Sequence, residues 1–217
     1  VACFVLGIRI HVHGEIERQR PLLLSANHTT WLDIVVLGRV AEVAFIAKSE
    51  VKTWPIFGLF ARLQNSVFIE RADKRGTGRQ VGSIAERLAG GEIIILFPEG
   101  TTSDGNRIYP IKYSLFGAAS SAVPLSPTGK VHVQPVAVAY TGIRGFPMGR
   151  FLRPIVAWPG DVEMLPSLAG VIKARALDVD VCFGEPVVFD AETRRKAAAA
   201  EVEARMRTLL AERLRGR

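Results

Sequence analysis

The stretch Leu22-Leu23-Leu24-Ser25-Ala26-Asn27-His28-Thr29-Thr30-Trp31-Leu32-Asp33-Ile34-Val35 decides how this chain folds. It opens on a short apolar run with polar residues behind it, the pattern of a buried strand. Trp31 to Val40 then carries helical spacing, with Ile34, Val35 and Leu37 expected to face inward. A strand that turns at once into a helix begins a β-α-β layer. Asn27 at the junction is expected to cap the helix, since its side chain can accept from an orphan first-turn amide.

The same turn carries chemistry. On one regular helix, residues as far apart as His28 and Asp33 lie about 140° round the axis and diverge. They meet only if His28 sits on the turn before the helix and Asp33 in its first turn. An imidazole oriented by a carboxylate is a general base for a hydroxyl near neutral pH. A second constellation, Phe97-Pro98-Glu99-Gly100-Thr101, follows the apolar strand Glu92-Ile93-Ile94-Ile95-Leu96. Loops leaving the ends of such strands are where α/β proteins build their sites.

Outward from these turns, strand and helix patterns alternate. Strands are expected at 22–26, 43–47, 66–69, 93–97, 131–140 and 178–183. Helices are expected at 31–40, 80–89 and 114–122, with an interrupted one at 48–63. From Ala191 to Leu214 runs an amphipathic helix with Asp190 as its cap and Val202, Met206, Leu209, Leu210 and Leu214 on one face. This rhythm predicts an α/β fold: a largely parallel or mixed sheet flanked by helices. A length of 217 residues, 48% hydrophobic and 23% charged, suits one globular domain over 1–217. No internal repeat or linker interrupts it.

Two cysteines, Cys3 and Cys182, lie far apart in apolar contexts and read as buried thiols. The first residues, Val1 to Ile8, leave two readings open: the tail of a membrane-inserted helix lying upstream, or a core strand running on through His13. No apolar run approaches the ~20 residues needed to span a bilayer. His11 and His13 alternate with Ile10 and Val12 and share a strand face. Two histidines without further ligands make a poor metal site, so they are read as surface residues and no metal is expected. Trp54, Phe57 and Phe60 have helical spacing broken by Pro55 and Gly58. They suit ordinary core, or an apolar groove or membrane patch with Arg62 near head groups.

A net charge of +7 implies acidic partners. The chain lacks zinc-finger spacing, an RNA-binding aromatic signature and a dense basic helix, so nucleic acid is set aside. An anionic membrane surface explains the charge better. A mean hydropathy of +0.21 fits a membrane-facing apolar surface. The glycine-rich segment 76–82 lacks the Lys-Ser/Thr of a phosphate loop. Without a Gly-x-Ser-x-Gly elbow, a serine-hydrolase mechanism lacks its nucleophile.

Taken together, Asn27 to Asp33, Phe68-Ile69-Glu70-Arg71, Phe97 to Thr101 and Val133-Gln134-Pro135-Val136 resemble, in order and approximate spacing, the four blocks of the glycerolipid acyltransferases. The likeness, to bacterial 1-acylglycerol-3-phosphate acyltransferases in particular, covers roughly residues 20 to 190. It implies the acyltransferase fold and transfer of a fatty acyl group from acyl-coenzyme A or acyl carrier protein to a lysolipid hydroxyl. The acceptor implied first is 1-acyl-sn-glycerol-3-phosphate, giving phosphatidic acid. The donor thioester is a substrate, and no cofactor is expected.

In that resemblance His28 removes the hydroxyl proton and Asp33 fixes its tautomer. Arg71, Glu99, Gly100, Thr101 and Lys112 bind substrate, with amides near Gly100-Thr101 receiving the oxyanion. The expected place is the cytoplasmic face of a membrane, peripheral or anchored by an upstream segment.

The chain departs from the pattern at Thr102, where many relatives carry a phosphate-binding arginine. Restoring arginine there is expected to favour phosphate acceptors. The string Glu99 to Gly105, with Gly145 to Arg150 and Ala157-Trp158, resembles alphaproteobacterial members, some of which acylate lyso-ornithine lipid. That acceptor has an amino-acid head group and no phosphate, and is the main alternative. A reading of another class is a non-catalytic membrane or acyl-carrier-binding module; the intact His28 and Asp33 speak against it.

Overall fold

A computed structural model describes residues 2–48, 66–69, 77–159 and 164–216. Trp54, Phe57, Phe60, Arg62 and Arg71 lie outside the described residues. The strands are β1 (Ile8–His13), β2 (Leu22–Ala26), β3 (Ala44–Lys48), β4 (Val67–Ile69), β5 (Ile93–Leu96), β6 (Val131–Ile143), β7 (Phe146–Pro147), β8 (Leu177–Phe183) and β9 (Val187–Phe189). The helices are α1 (Ala2–Val5), α2 (Leu32–Val40), α3 (Thr77–Ala89), α4 (Gly117–Ala122), α5 (Met164–Ala174) and α6 (Arg195–Leu214).

The sheet runs in the order β1-β8-β6-β2-β5-β3-β4, with β7 and β9 added to β6. Strands β6, β2, β5, β3 and β4 are mutually parallel, and β8 joins β6 antiparallel, so the sheet is mixed. Alternate residues of the central strands enter opposite apolar layers. Leu23, Ile94 and Val133 pack under α3, α4 and α6, whereas Leu22, Leu24, Ile95 and Val136 pack under α2 and α5. Cover on both faces explains why β2 and β5 read as continuous apolar runs.

A proline stands inside β6, next to β2, where it cannot donate to a ladder. Pro135 falls at the changeover between two partners: β9 pairs with 131–133 and β8 with 136–143. Beside it, Gln134 accepts from Glu17 N–H and donates to the Glu15 and Gly184 carbonyls. The Val133-Gln134-Pro135-Val136 block is thus a joint between strands.

Several expectations are corrected. Helix α2 begins at Leu32, and Asn27 does not cap it. The Asn27 amide instead donates to Val138 O at 3.0 Å and accepts from Val138 N–H at 2.8 Å, prolonging the β2–β6 ladder by one rung. Leu32, Val36 and Leu37 form the buried stripe of α2, while Ile34 and Val35 are only partly buried. Helix α6 starts at Arg195, because Asp190 closes an earlier turn by accepting from Glu192 N–H and the Thr193 hydroxyl. Its buried face carries Val202, Met206 and Leu210, flanked by half-buried Leu209 and Leu214, as the spacing predicts. Helix α5 was hidden by Pro166 and Gly170, which read as breakers. Cys3 and Cys182 are buried free thiols in opposite layers, and burial raises the pKa of both.

Among the described residues no helix is long and apolar enough to cross a membrane.

Candidate active site

Strands β2 and β5 are parallel neighbours, so the turns leaving their C-terminal ends lie side by side. The first turn brings His28 to Asp33. His28 Nδ1 lies 2.9 Å from Asp33 Oδ2, with Asp33 completely buried. That oxygen also accepts from Thr29 N–H at 2.6 Å and Thr30 N–H at 3.0 Å. The other oxygen accepts from the Tyr140 hydroxyl at 2.8 Å. Burial, reinforced by the Asp33 charge, raises the Tyr140 pKa well above the usual phenol value, so the hydroxyl remains a donor. With donors on both oxygens, the carboxylate assigns the Nδ1–H tautomer to His28 and leaves Nε2 as the basic nitrogen.

The second turn supports the first from behind. The His28 ring stacks on Phe97, with centroids 4.1 Å apart and planes inclined by 15°. Glu99 is only 2% exposed. Its Oε1 accepts from His28 N–H at 2.8 Å and its Oε2 from Tyr109 N–H at 2.6 Å. Burial pushes this carboxyl up to about 7 against the pull of those two amides, and the Asp33 charge adds to the rise. Glu99 therefore holds the histidine backbone; the expectation that it contacts substrate gives way to a positioning role, because both its oxygens are engaged inside.

Gly100 has φ +69°, so the backbone favours glycine, and a Cβ there would stand 2.9 Å from Lys112 Nζ and push that flexible side chain aside. The Gly100 amide bonds Phe97 O at 3.1 Å. Of the expected pair, Thr101 is the exposed member and the Gly100 amide is the one engaged inside the turn. Lys112, exposed, lays its ammonium group over Gly100 and offers an anion-binding charge beside the turn. Arg71 lies outside the described residues.

Residues beyond the motifs complete the frame. Ser103 N–H donates to His28 O at 2.8 Å, and Trp158 N–H to Thr29 O at 2.9 Å. The Thr102 hydroxyl donates to Trp158 O. From α6, Arg207 reaches Ile108 O at 2.7 Å and Tyr109 O at 3.3 Å, bracing the segment that holds Glu99. Tyr140 had a legible signal, a hydroxyl closing the apolar run Val136 to Ala139. Arg207 had none, for nothing in a solvated helix face says which loop it will meet.

A buried carboxylate, an oriented imidazole whose Nε2 has no partner among the described residues, an amide and an ammonium group beside it together suit proton abstraction from a hydroxyl and acyl transfer.

Comparison with known proteins agrees. The family model described as Acyltransferase matches residues 8–139. A lyso-ornithine lipid O-acyltransferase of Rhizobium meliloti (strain 1021) is 63% identical over 100% of this chain and 74% of its own length. One from Brucella abortus (strain 2308) is 54% identical over 98% of this chain and 80% of its own. The crystal structure of the 1-acyl-sn-glycerophosphate (LPA) acyltransferase PlsC from Thermotoga maritima superposes with a TM-score of 0.60 and 26% identity, covering 94% of this chain and 73% of that one. The chain belongs to the acyltransferase family, on its glycerolipid branch.

Proposed function

We propose that this protein transfers a fatty acyl group from a thioester, acyl-coenzyme A or acyl carrier protein, to the hydroxyl of lyso-ornithine lipid. The observation that carries the chemistry is the 2.9 Å bond from His28 Nδ1 to the fully buried Asp33. His28 Nε2 takes the acceptor's hydroxyl proton as its oxygen attacks the thioester carbon. Asp33 stabilises the imidazolium formed, and Thr101 N–H faces the tetrahedral oxyanion. The C–S bond then breaks and His28 returns the proton to the departing thiolate. No residue becomes acylated.

The acceptor is supported by the two named relatives and by Thr102. Its side chain is only 7% exposed and its hydroxyl is tied to Trp158 O, so position 102 points inward. An arginine there would displace Trp158 from the Thr29 turn before it reached a phosphate. The expectation that Thr102→Arg favours phosphate acceptors is withdrawn on that ground. Lys112 remains to bind the acceptor's carboxylate.

A second reading, 1-acyl-sn-glycerol-3-phosphate as acceptor, has the Thermotoga maritima structure in its favour. The working place is the cytoplasmic face of a membrane, reached peripherally or through a segment upstream of this chain. The test is acyl transfer to a panel of lysolipids with both donors. Product from lyso-ornithine lipid at a kcat/KM at least about tenfold above that for the phosphate acceptor is expected, the worth of one charge-assisted contact. The reverse order would install the second reading.

A further inference from the structure

After β6 the chain turns back through Arg144-Gly145 into β7 and then runs along the catalytic turn from Met148 to Trp158. Its inner side is bonded to the site: Trp158 N–H to Thr29 O at 2.9 Å, and Asn106 Nδ2 to Arg150 O at 3.3 Å. Its outer side carries large apolar groups in water. Phe151 is 93% exposed, Phe146 73%, and Leu152 and Ile155 40% each. Helix α5 extends the patch with exposed Ile172, its Gly170 packed against Ile155 O. Large apolar groups exposed together on one short segment mark a site of interaction.

The arm's own charges have one sign, with Asp104 beside Arg153 and Asp178 beside Gly142 on its inner side. Every charged residue from 141 to 159 and from 164 to 177 is basic, and Arg144, Arg150, Lys173 and Arg175 are exposed. The two acidic residues between those stretches, Asp161 and Glu163, lie outside the described residues. Outward phenyl and leucyl groups ringed by cations match an anionic bilayer, which offers hydrocarbon beneath phosphate.

We propose that this arm, Phe146 to Ile155 with the end of α5, is the surface that docks on an anionic lipid bilayer. Phe151 and Leu152 enter the interface while Arg150 and Lys173 meet head groups. The proposal rests on the lysolipid reading of the site and deepens it. The acceptor and product both partition into membrane, and the bond from Asn106 to Arg150 in the arm, with that from Trp158 just beyond it to Thr29, ties the arm to the His28 turn.

The test is co-sedimentation of the full chain with phosphatidylcholine vesicles, with and without phosphatidylglycerol, at ~0.1 M salt where the Debye length is about 10 Å. Binding is expected to require the anionic lipid and to weaken with salt. Phe151→Ser combined with Leu152→Ser should lower partitioning about tenfold or more with an unchanged melting temperature. Arg150→Gln with Lys173→Gln should weaken binding and flatten its salt dependence. Leu125→Ser, a control at a residue 51% exposed away from the arm, should bind as the parent does.

Parent-like vesicle binding by the double serine variant would overturn the proposal. So would loss of acyl carrier protein binding alone, which would assign the arm to that partner, or dissociation of a parental dimer, which would assign it to a second copy. A parent protein that acylates no lysolipid yet binds vesicles through the arm would sink the activity reading and leave the docking surface standing.

Discussion

Three histidine–aspartate pairs occur among the described residues, His11–Asp178, His13–Asp180 and His28–Asp33, and only the last has the surroundings of a general base. On the sheet, His13 Nε2 lies 2.5 Å from Asp180 Oδ1, closer than His28 lies to Asp33. The difference is in the surroundings. The His13 and Asp180 side chains keep 35% and 15% of their exposure, on β1 and β8, and Asp180 takes one further bond, from the Thr141 hydroxyl. Asp33 is fully buried and collects two backbone amides and a tyrosine besides its histidine. Its pair stands at the ends of two parallel strands, with a stacked phenyl ring and a glycine turn beside it. Proximity makes a pair; burial, preorganised donors and an adjacent oxyanion site make it a base with work to do.

The sharpest contrast should come from the carboxylates. Asp33→Asn is expected to lower kcat by about 10² to 10⁴, since the amide misdirects the imidazole tautomer. The same variant should lose about 1–3 kcal/mol of stability, because its amide nitrogen faces donors it cannot accept from. Asp180→Asn should change kcat by less than about twofold in the same steady-state assay, as a surface pair contributes little. Equal losses in the two variants would erase the distinction.

Glu99 sharpens the comparison through pH. Its folded pKa of about 7 lies above the ordinary 4.5. Below about 4.5 the group is protonated whether the chain is folded or not; between there and about 7 the folded protein keeps a proton the unfolded chain has released. Its contribution to stability is therefore present at low pH and lost as pH rises through about 7, a change of about 3 kcal/mol at most. Denaturant melts across that window should show the loss in the parent and a flatter profile in Glu99→Gln. A parent profile that rises over the same range would contradict the burial of this carboxyl.

Tyr140→Phe removes one of the donors that separate the two pairs. Turnover should fall about three- to tenfold, and stability by about 1–2 kcal/mol, read by kinetics and melting together. The smallest effect belongs to the brace from α6. Arg207→Gln should reduce kcat about two- to fivefold, with partial rescue by Arg207→Lys, because its two carbonyl contacts act on His28 only through Tyr109 and Glu99. A change in KM alone would give Arg207 some other role.

The strand–turn–helix around His28 was legible because period and polarity change sharply there, and the two-turn geometry followed from helix arithmetic. Chemistry was legible where a residue type admits few uses, as with His28 and Asp33. Glu99 and Asn27 were misread for a common reason. Local sequence presents them as a loop carboxylate and a helix cap, whereas their partners, Tyr109 and Val138, are set by the sheet's lateral order. The exposed arm was illegible too, since its apolar residues look like core until the fold turns them outward.

The most direct test sets two alanine variants side by side, His28→Ala and His13→Ala, in acyl transfer to lyso-ornithine lipid, with folding verified by circular dichroism. The account predicts a loss of about 10² to 10⁴ in turnover for His28→Ala and parental turnover, within about twofold, for His13→Ala. A folded His28→Ala protein that turns over at the parental rate would contradict it.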